Sequence, residues 1–251
     1  KSNITVEYTD GNLAATNIYV RFSPSEVKNY TGKANVSLSD TPGNVKEINL
    51  SGNAISSAGG MDASVHFPLK ADGSYIVSGP VISLGESFSK VEAKNYQTMA
   101  NWPEGAVTTD KVQRISTLTG AWPGNEIDIL TDRYIQFAVK PQEGTVFTVD
   151  SIGLYIGAVG GGAMGYRVMI SDSEDFGNAT VISNKPSGNI AGTMLALSYK
   201  PIWQIDDSKA FYLRVYPWYA SAATGKYLCL QNLVIKGKAT VKGSSSIDNN
   251  T

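Results

Sequence analysis

The stretch that most constrains the fold is 211–235, FYLRVYPWYASAATGKYLCLQNLVI. In its first half Phe211, Leu213 and Val215 alternate with Tyr212, Arg214 and Tyr216. That is the period of a strand, whose successive side chains leave on opposite faces. Pro217 has no N–H to donate to a ladder and is expected to end the strand. Trp218 and Tyr219 follow at the lip of a small-residue loop, residues 220–225, and residues 226–235 are expected to return as the second strand of a hairpin. Such a hairpin offers an apolar face to a core and sets aromatic rings and a cation at its edge.

Similar runs recur upstream. Strands are predicted over 63–69, 74–78, 87–93, 127–130, 134–140, 145–158, 166–171, 180–183 and 194–199, with 95–124 as the longest irregular piece. No segment carries helical periodicity beyond a turn or two. Many short strands at turn-punctuated spacing predict an all-β, two-sheet antiparallel sandwich or jelly roll. Ahead of it, residues 1–57 read as short strands at 4–8, 18–22, 34–38 and 45–50, with turns at Asp10–Gly11 and Tyr30–Gly32. The predicted organisation is a small β domain over 1–57, a linker over 58–62, the larger domain over 63–240, and a polar tail over 241–251.

Composition excludes several functions. A formal charge of −1, from 21 basic and 22 acidic side chains, gives no reason to expect nucleic acid or a basic membrane surface as partner. The single cysteine, Cys229, rules out an intrachain disulfide framework and a Cys-rich zinc site. No run reaches the roughly 18–20 apolar residues of a membrane-spanning helix. The chain enters a strand almost at once after Lys1, which suggests a piece cut from a longer protein.

Catalytic constellations are also sparse. His66 is the only histidine, lies inside a strand candidate, and has neither a G-x-S-x-G elbow nor an H-E-x-x-H motif to accompany it. The glycine-rich segment 157–165 (GAVGGGAMG) lacks the Gly-Lys-Ser/Thr ending of a phosphate loop and reads as a wide hairpin turn. The acidic turn 171–178 (SDSEDFGN) lacks the full twelve-residue calcium-loop pattern and reads as solvated. The chain is therefore expected to be no enzyme and to hold no cofactor, with room only for a structural calcium ion elsewhere in the sandwich. Aromatics carry more information. Trp102, Trp122 and Trp218 each neighbour a proline in loop or strand-end positions. Indole and phenol rings stack on the C–H faces of sugars, and arginines hydrogen-bond hydroxyls. The expected ligand-binding residues are Trp102, Trp122, Arg214, Tyr216, Trp218 and Tyr219.

Four segments then carry a resemblance: RYIQFAVKP (133–141), FTVDSIGLYIG (147–157), MGYRVMIS (164–171), and FYLRVYPWY…GKYLCLQNLVIKG (211–237). With them the larger domain resembles accessory β-sandwich modules of secreted polysaccharide-degrading proteins of Bacteroidetes, found beside pectate lyases and carbohydrate esterases. Over 19–52, the pattern Φ-x-F-x-P … Y-x-G … Φ-x-L-x-G resembles the last strands of a bacterial immunoglobulin-like domain. The resemblance implies a galactose-binding-like jelly roll behind an immunoglobulin-like spacer. It implies a non-catalytic carbohydrate-binding module, secreted or at the cell surface, with a polysaccharide and the parent protein's catalytic domain as partners. The alternative expectation is a structural spacer or interaction module that positions a catalytic domain without binding sugar.

Overall fold

The computed structural model describes residues 29–37, 45–53, 60–104, 106, 110–160, 162–186 and 192–242. The chain divides into two compact units, Lys1–Ser56 and Ser57–Thr251. In the first unit, β1 (Asn29–Ser37) pairs antiparallel with β2 (Val45–Asn53). Tyr30–Gly32 is strand rather than the expected turn: Tyr30 faces Gly52, Gly32 faces Leu50, and Gly32 does not take up a positive φ. The predicted strands at 4–8 and 18–22 and the Asp10–Gly11 turn lie outside the described residues, as does most of the immunoglobulin-like pattern before Asn29.

The second unit is all-β. In chain order its strands are β3 (Met61–Phe67), β4 (Ile76–Ser78), β5 (Val81–Ser89), β6 (Val91–Gln97), β7 (Val112–Thr117), β8 (Ala121–Trp122), β9 (Tyr134–Pro141) and β10 (Thr145–Val159). They continue as β11 (Met164–Ser171), β12 (Thr180–Lys185), β13 (Met194–Tyr199), β14 (Trp203–Asp206), β15 (Phe211–Tyr219), β16 (Ala223–Thr224) and β17 (Tyr227–Val241). No helix occurs among the described residues, and every pairing between strands is antiparallel. The larger sheet is built on the 15-residue strands β10 and β17. β13 and β14 share the outer edge of β10; β3, followed by β4, and β7, followed by β6, share the outer edge of β17. The smaller sheet runs β12-β11-β15-β9-β5, and β8 pairs with β16 in a short ribbon.

The inward faces enclose one apolar core, in which Phe137, Phe147, Phe211, Tyr166 and Trp122 are the bulkiest fully buried side chains. Two phase shifts in the sequence become bulges. In β10 the inward set passes from Phe147 and Val149 to Ile152 and Leu154, and the register against β17 slips between Val149 and Ser151. In β17 it passes from Leu228 and Leu230 to Leu233 and Ile235, and Asn232 between them takes φ 52°. An extra residue restores the inward orientation of the next apolar pair, and Asn tolerates the left-handed region better than most side chains.

Several expectations change. The two halves of 211–235 are not a hairpin: β15 belongs to the smaller sheet and β17 to the larger, so the connection arches over the core. The glycine-rich segment 157–165 makes the same kind of crossing, from β10 to β11. Both faces of β15 are largely buried, a pattern that periodicity alone cannot place in a sheet. Pro217 does not end β15, because Tyr166 still faces it across the ladder to β11. It does lie beyond the ladder to β9, which stops at Val215 opposite Ile135. Residues 127–130 form no strand, and Ile127 is exposed. The predicted strand 87–93 is two strands meeting at Lys90, whose φ is 54°. The supposedly irregular 95–124 contains β7, where Gln113 and Ile115 turn toward the core while Val112 packs with Cys229 outside it. The predicted linker and tail shorten as well: Asp62 faces Lys238 in the β3–β17 ladder, and Val241 faces Thr145. Residues 243–251 lie outside the described residues.

Candidate functional site

Five of the six expected ligand residues turn inward or are covered. Trp122 is 1% exposed; its Nε1–H donates to the Lys226 carbonyl at 2.9 Å, and the Arg133 guanidinium lies 5.5 Å from its ring centre. Glu126 ties this corner together. One of its oxygens pairs with Arg133 at 2.5 Å and the other accepts the Tyr219 N–H at 3.0 Å, while the Tyr219 ring packs on Trp122. Trp218 lies over Gly165, where a Cβ would meet its indole at 2.4 Å. Arg214 is held between the rings of Tyr134 and Phe176, at 3.8 and 4.0 Å. Its Nε–H donates to Gln136 Oε1 and one terminal nitrogen to the Glu174 carbonyl, both at 2.7 Å; the other reaches the Tyr216 hydroxyl at 3.4 Å. These partners spend the planar guanidinium on the protein itself. Burial raises the Tyr216 hydroxyl above its ordinary range. The rings that sequence placed at a sugar-binding edge are packed against protein instead.

Trp102 stands apart from them. It is half-buried, donates its Nε1–H to the Met99 carbonyl at 3.1 Å, and meets Tyr155 edge-on at 5.6 Å. Both rings pack on a small apolar cluster of Met99, Val112, Met194 and Cys229, separate from the main core. Desolvation pushes the Cys229 thiol up to about 12, which removes it as a nucleophile.

Beside Tyr155 the outward face of the larger sheet is hollowed into a depression of about 400 Å3, lined by His66, Gly153, Tyr155, Asn232, Val234 and Lys236 among others. The cross-strand register explains the hollow. Val234 faces His66 on one side and Gly153 on the other, with Ser198 beyond. Gly153 sits in the middle of this row with nothing within 4 Å of where its Cβ would be, and its φ is not positive. The missing side chain is the floor of the depression. Tyr155 stands on one side of it and Lys236 on the other.

Polar groups converge here. His66 Nε2 lies 3.2 Å from Asn232 Oδ1, and Asn232 Nδ2–H donates to Gln231 Oε1 at 3.4 Å. Imidazole, amide, phenol and ammonium groups therefore share one shallow face, and no Asp, Glu or Cys belongs to the lining. The set can hydrogen-bond and stack, and it contains no carboxylate pair. Among the described residues no group of three or more His, Cys, Asp and Glu side chains converges as a metal site. In the acidic turn, Asp172 pairs with Lys209 at 2.6 Å, while Asp175 accepts the Gly177 N–H at 2.9 Å.

His66, Gly153, Tyr155, Asn232 and Lys236 were missed by sequence reasoning because they are scattered over three strands and follow no motif. The one local signal was the break in alternation at Gln231–Asn232.

No known family profile matches the chain, and no curated protein matches it. Among solved structures, the CBM22-1–GH10 modules of Clostridium thermocellum endo-1,4-β-D-xylanase 10B, complexed with xylohexaose, match at 15% identity and a TM-score of 0.33. That match covers 76% of this chain and 30% of the other. The CBM22-1 xylan-binding domain of Paenibacillus barcinonensis Xyn10C matches at 13% identity and a TM-score of 0.34, over 72% of this chain and 98% of the other. A structure of the infectious bursal disease virus Gx strain matches at 12% identity and a TM-score of 0.23, over 86% and 71%. None of the three reaches a TM-score of 0.5.

Proposed function

We propose that this chain is a non-catalytic carbohydrate-binding module of a secreted or cell-surface multidomain protein, working beside a catalytic domain, and that its glycan site is the depression around Gly153. The observation that supports it most is the composition of that hollow: an aromatic ring, an amide, an imidazole and an ammonium surround a glycine floor on an open sheet face. A ring face beside fixed hydrogen-bond donors and acceptors is what a pyranose presents a complement to. Trp102 takes part indirectly, by holding Tyr155 edge-on. A shallow open site buries little ligand surface, so dissociation constants of about 10 µM to about 1 mM are expected.

The test is retention in affinity gels containing xylan, pectin, mannan or mixed-linkage glucan, for the wild type and Gly153→Val. Valine suits a strand and its Cβ meets no atom within 4 Å at this position, so the variant is expected to fold while its methyl groups enter the hollow. Retention of the wild type on one of these glycans, lost in Gly153→Val at an unchanged thermal midpoint, is the expected result. A wild type that no glycan retains, or a Gly153→Val variant retained as well as the wild type, overturns the assignment.

A second reading, as an interaction or spacer module, has its own observation. β4 and β5 end the two sheets, and Ile76 and Leu84 on them are 60% and 52% exposed. Apolar side chains on open sheet edges suit contact with another folded domain. Loss of association with the parent catalytic domain in an Ile76→Lys, Leu84→Lys variant that still binds glycan would assign that second role.

A further inference from the structure

The outer edge of β17 changes partner in mid-strand. β7 pairs with Leu228–Leu230 and β3 with Leu233–Ala239, so Gln231 and Asn232 face neither strand. A second depression, of about 440 Å3, is bordered by Pro68, Lys70, Asp72, Tyr96, Asp110 and Lys111, and Gln231 also lines it. Gln231 is 1% exposed, and its Nε2–H donates to the Lys111 carbonyl at 3.5 Å. Its Oε1 accepts from Asn232, which lines the first depression and holds His66. The two hollows are thus joined by one hydrogen-bonded series, His66–Asn232–Gln231–Lys111, across the bulge.

The border of the second hollow has polar support from behind. Gln113, 1% exposed, reaches the Tyr96 hydroxyl at 3.4 Å and Glu86 Oε2 at 3.0 Å through its Nε2. Gln113 Oε1 and Glu86 Oε1 are buried there without a partner. Around the rim two ammonium donors, Lys70 and Lys111, balance two carboxylate acceptors, Asp72 and Asp110. Neither lysine is in a salt bridge among the described residues. Equal numbers of donors and acceptors without a net sign suit the hydroxyls of an uncharged sugar better than a polyanion.

We propose that this second hollow is a further glycan subsite, and that one uncharged linear polysaccharide lies along β17 from the Gly153 hollow, over Asn232 and Gln231, into it. The proposal rests on the glycan-binding reading above and adds the length and charge of the ligand. From Lys236 to Gln231 the strand runs about 16 Å at about 3.3 Å per residue, longer than a single sugar ring. Two subsites on one chain bind it as a linked pair, so affinity rises with length until both are filled.

The experiment is isothermal titration calorimetry with linear xylo-, gluco- and manno-oligosaccharides of two to six units. The proteins are the wild type and an Asp110→Asn, Lys111→Ala variant of equal thermal midpoint. The expected result is an affinity gain of about tenfold or more from the shortest to the longest ligand of the series that binds, abolished in the variant while disaccharide affinity is kept. A wild-type affinity independent of length, or a variant matching the wild type on the longest ligand, overturns the second subsite and leaves the first standing. No binding at any length by the wild type overturns the glycan-binding reading, and this one with it.

Discussion

Glu86 supplies a pH-dependent load on the sandwich. It lies on β5, on the same side as Phe137, and meets Gln113 of the opposite sheet through a 3.0 Å hydrogen bond to one oxygen. Its other oxygen and Gln113 Oε1 are both buried acceptors with no donor. Desolvation by burial pushes the Glu86 carboxyl from the ordinary 4.5 up to about 7, against the hydrogen bond from Gln113, which favours the charged form. The folded state therefore binds this proton more tightly than the unfolded chain. Stability from Glu86 is full below about 4.5 and is lost as pH rises through about 7. At 1.36 kcal/mol for each tenfold change in proton affinity, the whole span is worth about 3 kcal/mol, most of which falls between about pH 5 and about pH 8. Glu86→Gln keeps the shape and removes the titration. Urea unfolding of both proteins at the two pH values isolates the effect, because every other titrating group cancels in the comparison. The variant is expected to gain about 2–3 kcal/mol on the wild type between about pH 5 and about pH 8. Parallel pH profiles would refute the assignment of a protonated carboxyl at this place.

Other expectations follow from the packing. Arg214→Lys keeps the charge but cannot reproduce bonds to Gln136 and Glu174 or stack between Tyr134 and Phe176. A loss of about 2–4 kcal/mol in urea unfolding is expected, and a loss below about 0.5 kcal/mol would mean the cage contributes only packing. Gly165→Ala brings a Cβ to 2.4 Å from the Trp218 indole, so Trp218 fluorescence should shift to the red and the thermal midpoint should fall; unchanged emission would contradict the close stacking. Cys229, 0% exposed with its thiol pushed up to about 12, should resist Ellman's reagent in native buffer and react fully in urea. Rapid native labelling would place it at the surface.

How much of this could be read from sequence depends on which contacts fix each feature. The strands β10, β11 and β13 show their alternation or their continuous apolar run plainly, and all three were placed to within two residues or better. Sheet membership was not legible, because the connections 220–225 and 160–165 permit either a hairpin or an arch, and only the long-range pairing decides, β15 with β11 and β9 and β17 with β10, β3 and β7. Strand β7 was lost because Gln113 and Arg114 interrupt its pattern, and Gln113 is inward only to meet Glu86 from the other sheet. Trp122, Trp218, Tyr216 and Tyr219 are buried rather than set at an open edge for a related reason. A ring next to a proline in a connection can point either way, and here Arg133, Glu126, Gly165 and Tyr134, from other strands and loops, pack or bond against these residues and hold them covered. Conversely, the Gly153 hollow exists through an absent side chain whose significance appears only when Val234, His66 and Ser198 are aligned beside it.

Amide and methyl chemical-shift mapping during titration with an oligosaccharide of whichever glycan retains the protein tests the central claim most directly. Perturbations concentrated at His66, Gly153, Tyr155, Asn232 and Val234 are the predicted result. Perturbations confined to the outward face of the smaller sheet, around Tyr134, Arg167 and Trp218, would contradict it and return the site to the aromatic edge that the sequence first suggested.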